Sequence, residues 1–168
     1  MEPLLGITMQ PLKLLTQNLL NETATAARAQ PRLRQNYNFH ELEESIQRFV
    51  NVLQPGTYVR PHCHGRGFEF FLVLQGELGF LTLTEDGTVE TAIRLSATGA
   101  TKGLELTAGS YHTLVALTPD TALLEIKAGP YDPTTDKTFI TSFPPEGTPI
   151  AAQWVATWEA YFQGPNDV

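Results

Sequence analysis

Apolar and polar positions along the chain change period twice, and the changes divide it into three parts. From residue 10 to about residue 30, Leu12, Leu15 and Leu19 recur at helical spacing, with Ala24, Ala26, Ala27 and Ala29 continuing the run. Pro11 suits a first turn and Pro31 ends the run, so one helix is predicted there, after an irregular segment over residues 1–9. The period then drops to two. Over residues 32–40, Arg34, Asn36, Asn38 and His40 share one parity, while Leu33, Tyr37 and Phe39 share the other. Such a strand has its polar line either in water or along a cavity, and periodicity does not choose between them. Further short strands are predicted at 45–53, 70–74, 78–83, 88–95, 104–106, 112–117 and 122–127. Gln54-Pro-Gly56, Thr84-Glu-Asp-Gly87, Ala108-Gly109-Ser and Pro119-Asp120 mark turns between them, and residues 96–103 read as an exposed loop. This cadence, without alternating helices, predicts an antiparallel sandwich or barrel. Residues 129–133 and 143–147 read as tail-like loops. Ala151, Trp154, Trp158, Tyr161 and Phe162 then fall on one face of a C-terminal helix. The expected organisation is a helical segment over 1–30, a β-barrel over 31–146 and a helix or tail over 147–168.

The stretch from Gly56 to Gly76 carries the candidate chemistry. His62 and His64 are one residue apart, so in an extended strand they point the same way, joined by Arg60, with Cys63 on the other face. Gly65-Arg-Gly67 can reverse the chain into a hairpin and return Glu69 opposite the histidines. Two imidazoles and a carboxylate converging in this way form a metal-ligand set of nitrogen and oxygen type. The competing reading is a pair of satisfied core histidines. Burying that pair with an acid across the turn is costly unless something binds them together, which favours the metal.

Gly56, His62, His64, Glu69 and Gly76 match the spacing G-x5-H-x-H-x4-E-x6-G without a gap, and this resembles the first cupin motif. The second cupin motif is matched by Gly109 and His112, but Thr101, Thr107 and Ala116 stand where that pattern has glycine, proline and asparagine. Within the cupins the chain looks most like WbuC-type cupin fold metalloproteins, over roughly residues 10–146. The residues that carry this likeness are Arg34, Asn36, Asn38 and His40, Gln47-Arg48, Arg60-Pro-His62, and Glu125-Ile-Lys127-Ala-Gly-Pro-Tyr131.

The resemblance implies a single-domain, mainly β jelly-roll barrel with terminal helices and a metal site of His62, His64, Glu69 and His112. It also implies a cavity-lining role for residues 34–40, with His40 beside the metal ligands instead of among them. Such a ligand set suits a divalent first-row transition metal, whether Fe, Mn, Zn, Ni or Cu. It leaves coordination positions open for chemistry. Arg60 is expected to hold a substrate anion, with Arg34 and Arg48 behind it. Glu125 and Lys127, two residues apart on one strand face, are either an ion pair or an acid and a base at the barrel mouth. The expected function is a metal-dependent enzyme of isomerase or dioxygenase type acting on a small polar, sugar- or acid-like molecule. The WbuC-type family takes its name from polysaccharide gene clusters. The alternative is a non-catalytic module that binds or senses a small ligand. Cupins are commonly dimeric, so a homodimer is expected.

Charge and composition exclude other classes. A net charge of −7 over 168 residues disfavours nucleic-acid and anionic-membrane surfaces. No apolar run is long enough to span a bilayer, and the N-terminal residues, with Glu2 and an early proline, do not read as a secretory signal. The single cysteine, Cys63, has no partner for an internal disulfide, which suits a reducing cytoplasm. There is no G-x-S-x-G nucleophile motif and no phosphate-binding glycine loop before a helix.

Overall fold

The strands form two five-stranded antiparallel sheets that face one another. The architecture comes from a computed structural model that describes residues 12–164. The irregular segment expected over residues 1–9 and the expected helix start at Gln10 and Pro11 lie outside the described residues. The first sheet has the order β1 (Arg34–Asn38), β2 (Ile46–Leu53), β9 (Thr121–Ala128), β4 (Phe68–Gln75), β7 (Gly103–Thr107). The second has the order β10 (Thr138–Phe139), β3 (His62–Cys63), β8 (Tyr111–Ala116), β5 (Glu77–Leu83), β6 (Val89–Ser96).

Among the described residues, three apolar clusters hold this arrangement together. One lies between the sheets and includes Leu53, Phe71, Val73, Leu78, Phe80, Leu114 and Leu123. The other two lie on the outer sheet faces, each beneath a helix. Helix α1 (Gln17–Ala29) sets Leu20, Ala24 and Ala27 on Val50, Val52 and Ala122 of the first sheet. Helix α2 (Pro149–Glu159) sets Ala151, Val155 and Trp158 on Leu81, Leu83 and Val115 of the second. Both helices therefore cover sheet faces, and β2, β5 and β8 are buried on both sides. This explains why β5 and β8 are apolar on both faces over Leu78–Leu81 and Leu114–Ala116.

The helix limits are set by side-chain caps. Thr16 holds an extended conformation, and its hydroxyl accepts the Leu19 N–H at 3.1 Å, so α1 starts well after residue 10. Leu12 and Leu15 precede it and are 70% and 42% exposed. At the other terminus Thr148 caps α2 ahead of Pro149. The chain then tightens into a 3-10 turn over Ala160–Phe162. That change of pitch breaks the expected apolar face, leaving Tyr161 54% exposed. Phe162 instead lies over Gly79, where a Cβ would stand 2.3 Å from its ring.

Along the inner face, apolar positions give way to polar ones at one end of the sandwich. On β4 the inward series runs Val73, Phe71, Glu69, and on β9 it runs Leu123, Glu125, Lys127. The register places Val73 opposite Leu123, Phe71 opposite Glu125, and Glu69 opposite Lys127. On β2, Leu53, Asn51, Phe49 and Gln47 extend the same gradient. The polar ends of three neighbouring strands thus coincide, and the site is there.

One expectation needs correction. His62 and Glu69 do not belong to one hairpin: β3 pairs with β8 and β10, and β4 pairs with β7 and β9. The Gly65–Gly67 turn carries the chain from one sheet to the other. Between the expected loops at 129–133 and 143–147 the barrel gains a short strand that was not expected, β10, whose Thr138 and Phe139 pair with Cys63 and His62.

Candidate metal centre and its cavity

Neighbouring strands place His62 and His112 directly opposite one another. His64 follows immediately after β3. The turn before β8 ties this segment down: Gly109 adopts φ +82°, a conformation that favours glycine, and its N–H donates to the His64 carbonyl at 2.8 Å.

Each imidazole is fixed through its Nδ1 by a backbone carbonyl. His62 meets Arg60 O at 2.8 Å, His64 meets Asp136 O at 2.5 Å, and His112 meets Ser110 O at 3.1 Å. A carbonyl only accepts, so each Nδ1 carries the hydrogen and each Nε2 presents a lone pair. The three side chains bring their ligand nitrogens within 4.8 Å of one another, close enough to hold a metal ion. Glu69 approaches from the facing sheet, with Oε1 3.2 Å from His64 Nε2 and Oε2 3.3 Å from His112 Nε2.

Burial keeps the imidazoles neutral. Desolvation drives His62 well below 6.5, His64 to about 4 and His112 to about 3. A neutral imidazole with hydrogen on Nδ1 has nothing to donate to Glu69, so lone pairs of nitrogen and oxygen face one another. His64 Nε2 is buried with no hydrogen-bond partner among the described residues. A proton on Glu69 would relieve only one of the two contacts. This donor set fits a divalent cation.

A cavity of about 680 Å³ opens beside the cluster, lined by His62, Glu69 and His112 among others. Arg34, Asn36, Asn38 and His40 also line it, so the polar line of their strand borders the cavity, with Asn36 and Asn38 at its solvent-exposed part. His40 stands apart from the histidine cluster: its Nδ1 lies 2.9 Å from the Arg48 backbone and its ring 5.9 Å from that of Phe49. Glu125 lines the cavity and accepts a hydrogen bond from Asn51 Nδ2 at 2.7 Å. Burial and the neighbouring Glu69 push it up to about 8, and burial likewise raises Glu69.

The arginines are placed otherwise than expected. Arg60 was expected on the ligand face, yet it is not part of the cavity lining, and its guanidinium lies 4.8 Å from the Phe139 ring centroid. The strand covers only His62 and Cys63, so alternation does not reach back to residue 60. Arg48 pairs with Glu44 at 2.6 Å, outside the lining. Arg34 pairs with Glu146 and donates to Tyr58 O. Lys127 pairs with Asp136, not with Glu125.

Sequence reasoning missed Asn51, Asp136 and Lys137, which also line the cavity. Asn51 was within reach, since it shares the parity of Gln47 and Leu53. Asp136 and Lys137 lie in a loop with no periodic signal.

A family model described as Domain of unknown function (DUF6016) matches residues 15–95. No curated protein matches the chain. Among solved structures, the capsular polysaccharide assembling protein CapF from Staphylococcus aureus is 20% identical with a TM-score of 0.54, covering 66% of this chain and 30% of that one. An oxalate oxidase in complex with the substrate analogue glycolate is 17% identical with a TM-score of 0.51, covering 82% and 76%. A cupin superfamily protein from Desulfitobacterium hafniense is 17% identical with a TM-score of 0.49, covering 62% and 85%. The fold is that of the cupins, a jelly roll of two antiparallel sheets. Among the described residues, no helix is long and apolar enough to cross a membrane.

Proposed function

We propose that this chain is a metal-dependent enzyme of cupin type acting on a small polar, sugar- or acid-like molecule in the cavity, with His62, His64, Glu69 and His112 as ligands to a divalent first-row metal. The observation that carries the reading is the convergence of three neutral imidazoles and the Glu69 carboxyl group from two sheets at the wall of an open cavity. A metal bound there supplies a Lewis acid for a substrate oxygen. Glu125, buried beside Glu69 and oriented by Asn51, stands as the proton donor or acceptor of the site. His40, anchored at Nδ1, borders the ligand and not the metal. The resemblance to WbuC-type proteins and the fold shared with CapF support a sugar-derived substrate. The free, buried Cys63 supports a reducing, cytoplasmic setting, and the resemblance supports a homodimer.

Elemental mass spectrometry of the tag-free protein beside His112→Ala tests the metal site. Near-stoichiometric metal is expected in the first and little in the second. Absence of metal from the unmodified protein after reloading overturns the metal reading. Bound metal without turnover of any hydroxy acid or sugar acid, followed by NMR, overturns the enzyme reading in favour of a binding module.

A further inference from the structure

The cations that border the cavity are committed to partners, with one exception. Arg32 and Arg34 both reach Glu146, and Lys127 Nζ lies 2.9 and 3.0 Å from the two Asp136 oxygens. Lys137 also lines the cavity; among the described residues no acceptor or carboxylate lies within bonding distance of its ammonium group, which Glu125 and Asp136 attract from further off. Its backbone is held firmly. On one side Asp136 O accepts the His64 Nδ1 hydrogen, and on the other Thr138 and Phe139 pair with β3. The segment that delivers this ammonium group is therefore pinned to the segment that carries His62 and His64.

The wall built by β1 and β2 is rich in amides. Asn36 donates to Asn38 Oδ1, Gln47 to Ala128 O, and Asn51 to Glu125 Oε2. These contacts use amide N–H groups and leave the oxygens of the cavity-lining Asn36, Gln47 and Asn51 as acceptors. Acceptors of that kind match hydroxyl donors. Resting on the functional reading above and specifying its ligand, we propose that Lys137 holds the carboxylate of a small polyhydroxy acid whose hydroxyls face this amide wall.

The acids of the lining favour a monoanion. Glu69, Glu125 and Asp136 share it with Lys137 and with the divalent cation of the proposed site, so a phosphate ester, with a charge of about −1.5 to −2, meets more repulsion from those acids than a carboxylate does.

Calorimetric titration of metal-loaded and metal-stripped protein with D-glucuronate, D-gluconate, D-glucose and glucose 6-phosphate tests the assignment. The two carboxylates are expected to bind about tenfold or more tighter than glucose, the value of a charged hydrogen bond in a partly dry site. Lys137→Met is expected to abolish that preference with metal content and melting temperature unchanged, and Lys137→Arg to restore part of it. The assignment is overturned if Lys137→Met keeps the preference, if neither acid binds up to about 10 mM, or if the phosphate ester binds better than the acids. Metal content read on the same samples separates the two ideas. A carboxylate preference that depends on Lys137 in a protein that takes up no metal sinks the metal reading alone, and an unaltered preference in metal-loaded Lys137→Met sinks the lysine assignment alone.

Discussion

Glu125→Gln tests whether the fold holds the acid beside Glu69 in its neutral form. Burial, with Glu69 adding to it, raises Glu125 from 4.5 to about 8. Between those values the folded chain keeps a proton that the unfolded chain has released. Stability is therefore greatest below 4.5 and is lost as pH rises toward 8. Each pH unit in that window costs about 1.4 kcal/mol, giving a ceiling of about 4 kcal/mol near pH 7.5. Glu125 and Glu69 share their protons, so about half of that, ~2 kcal/mol, falls to Glu125. Glutamine keeps the shape, and its oxygen still accepts from Asn51, but it does not titrate. Metal-free Glu125→Gln should thus be more stable than the metal-free unmodified protein by ~2 kcal/mol near pH 7.5, with the gain fading by about pH 4.5. Urea unfolding in the presence of a chelator, followed by tryptophan fluorescence across that range, measures the difference. A variant less stable at neutral pH, or a difference that does not change with pH, refutes the argument. With metal bound the gain should shrink, because a cation favours the ionised carboxyl.

Two other outcomes follow from the packing and the site. Trp158 is fully buried and stacks on Tyr58 at 5.6 Å, so Trp158→Ala should cost about 3–5 kcal/mol in urea unfolding. Metal content should not change, since α2 packs on the outer face of its sheet; a loss under about 1 kcal/mol would show that this helix is not a structural cover. Metal retention should persist in mild acid. The folded histidine values are depressed, so the contribution of the neutral imidazoles is complete above 6.5 and is lost as pH falls toward about 4 for His64 and about 3 for His112. Dialysis near pH 5.5 should leave most of the metal in place, and full release there would contradict the burial argument.

Much of the barrel was legible because local and global signals agreed. The expected strands at 45–53, 78–83 and 88–95 differ by at most a residue per end from β2, β5 and β6. Their boundaries are marked by turns that glycine and proline dictate locally. What failed was long-range. A Gly-Arg-Gly turn suits either a hairpin or a crossing between sheets, and the outcome is decided by the pairing of His62 with His112, fifty positions away. Likewise the partner of Lys127 is Asp136 in a returning loop, and no feature near Glu125 announces it. Arg60 failed for a local reason, since alternation holds only inside a strand and β3 has two residues.

The apolar core and the donor cluster are also causally joined. His112 stacks on Phe80 at 5.5 Å with an interplanar angle of 10°, and Phe71 meets its ring edge-on at 5.8 Å. Those two phenylalanines belong to the cluster between the sheets. They remove water from the imidazole and so disfavour its charged form, the largest cause of its depressed value. The backbone carbonyl at Nδ1 pulls the other way, favouring the protonated ring, and is outweighed. The carbonyl decides which nitrogen carries the hydrogen, and the core decides that there is only one. Both conditions are needed for Nε2 to offer a lone pair at neutral pH, so the position of His112 at the edge of the core is part of the chemistry and not only of the packing.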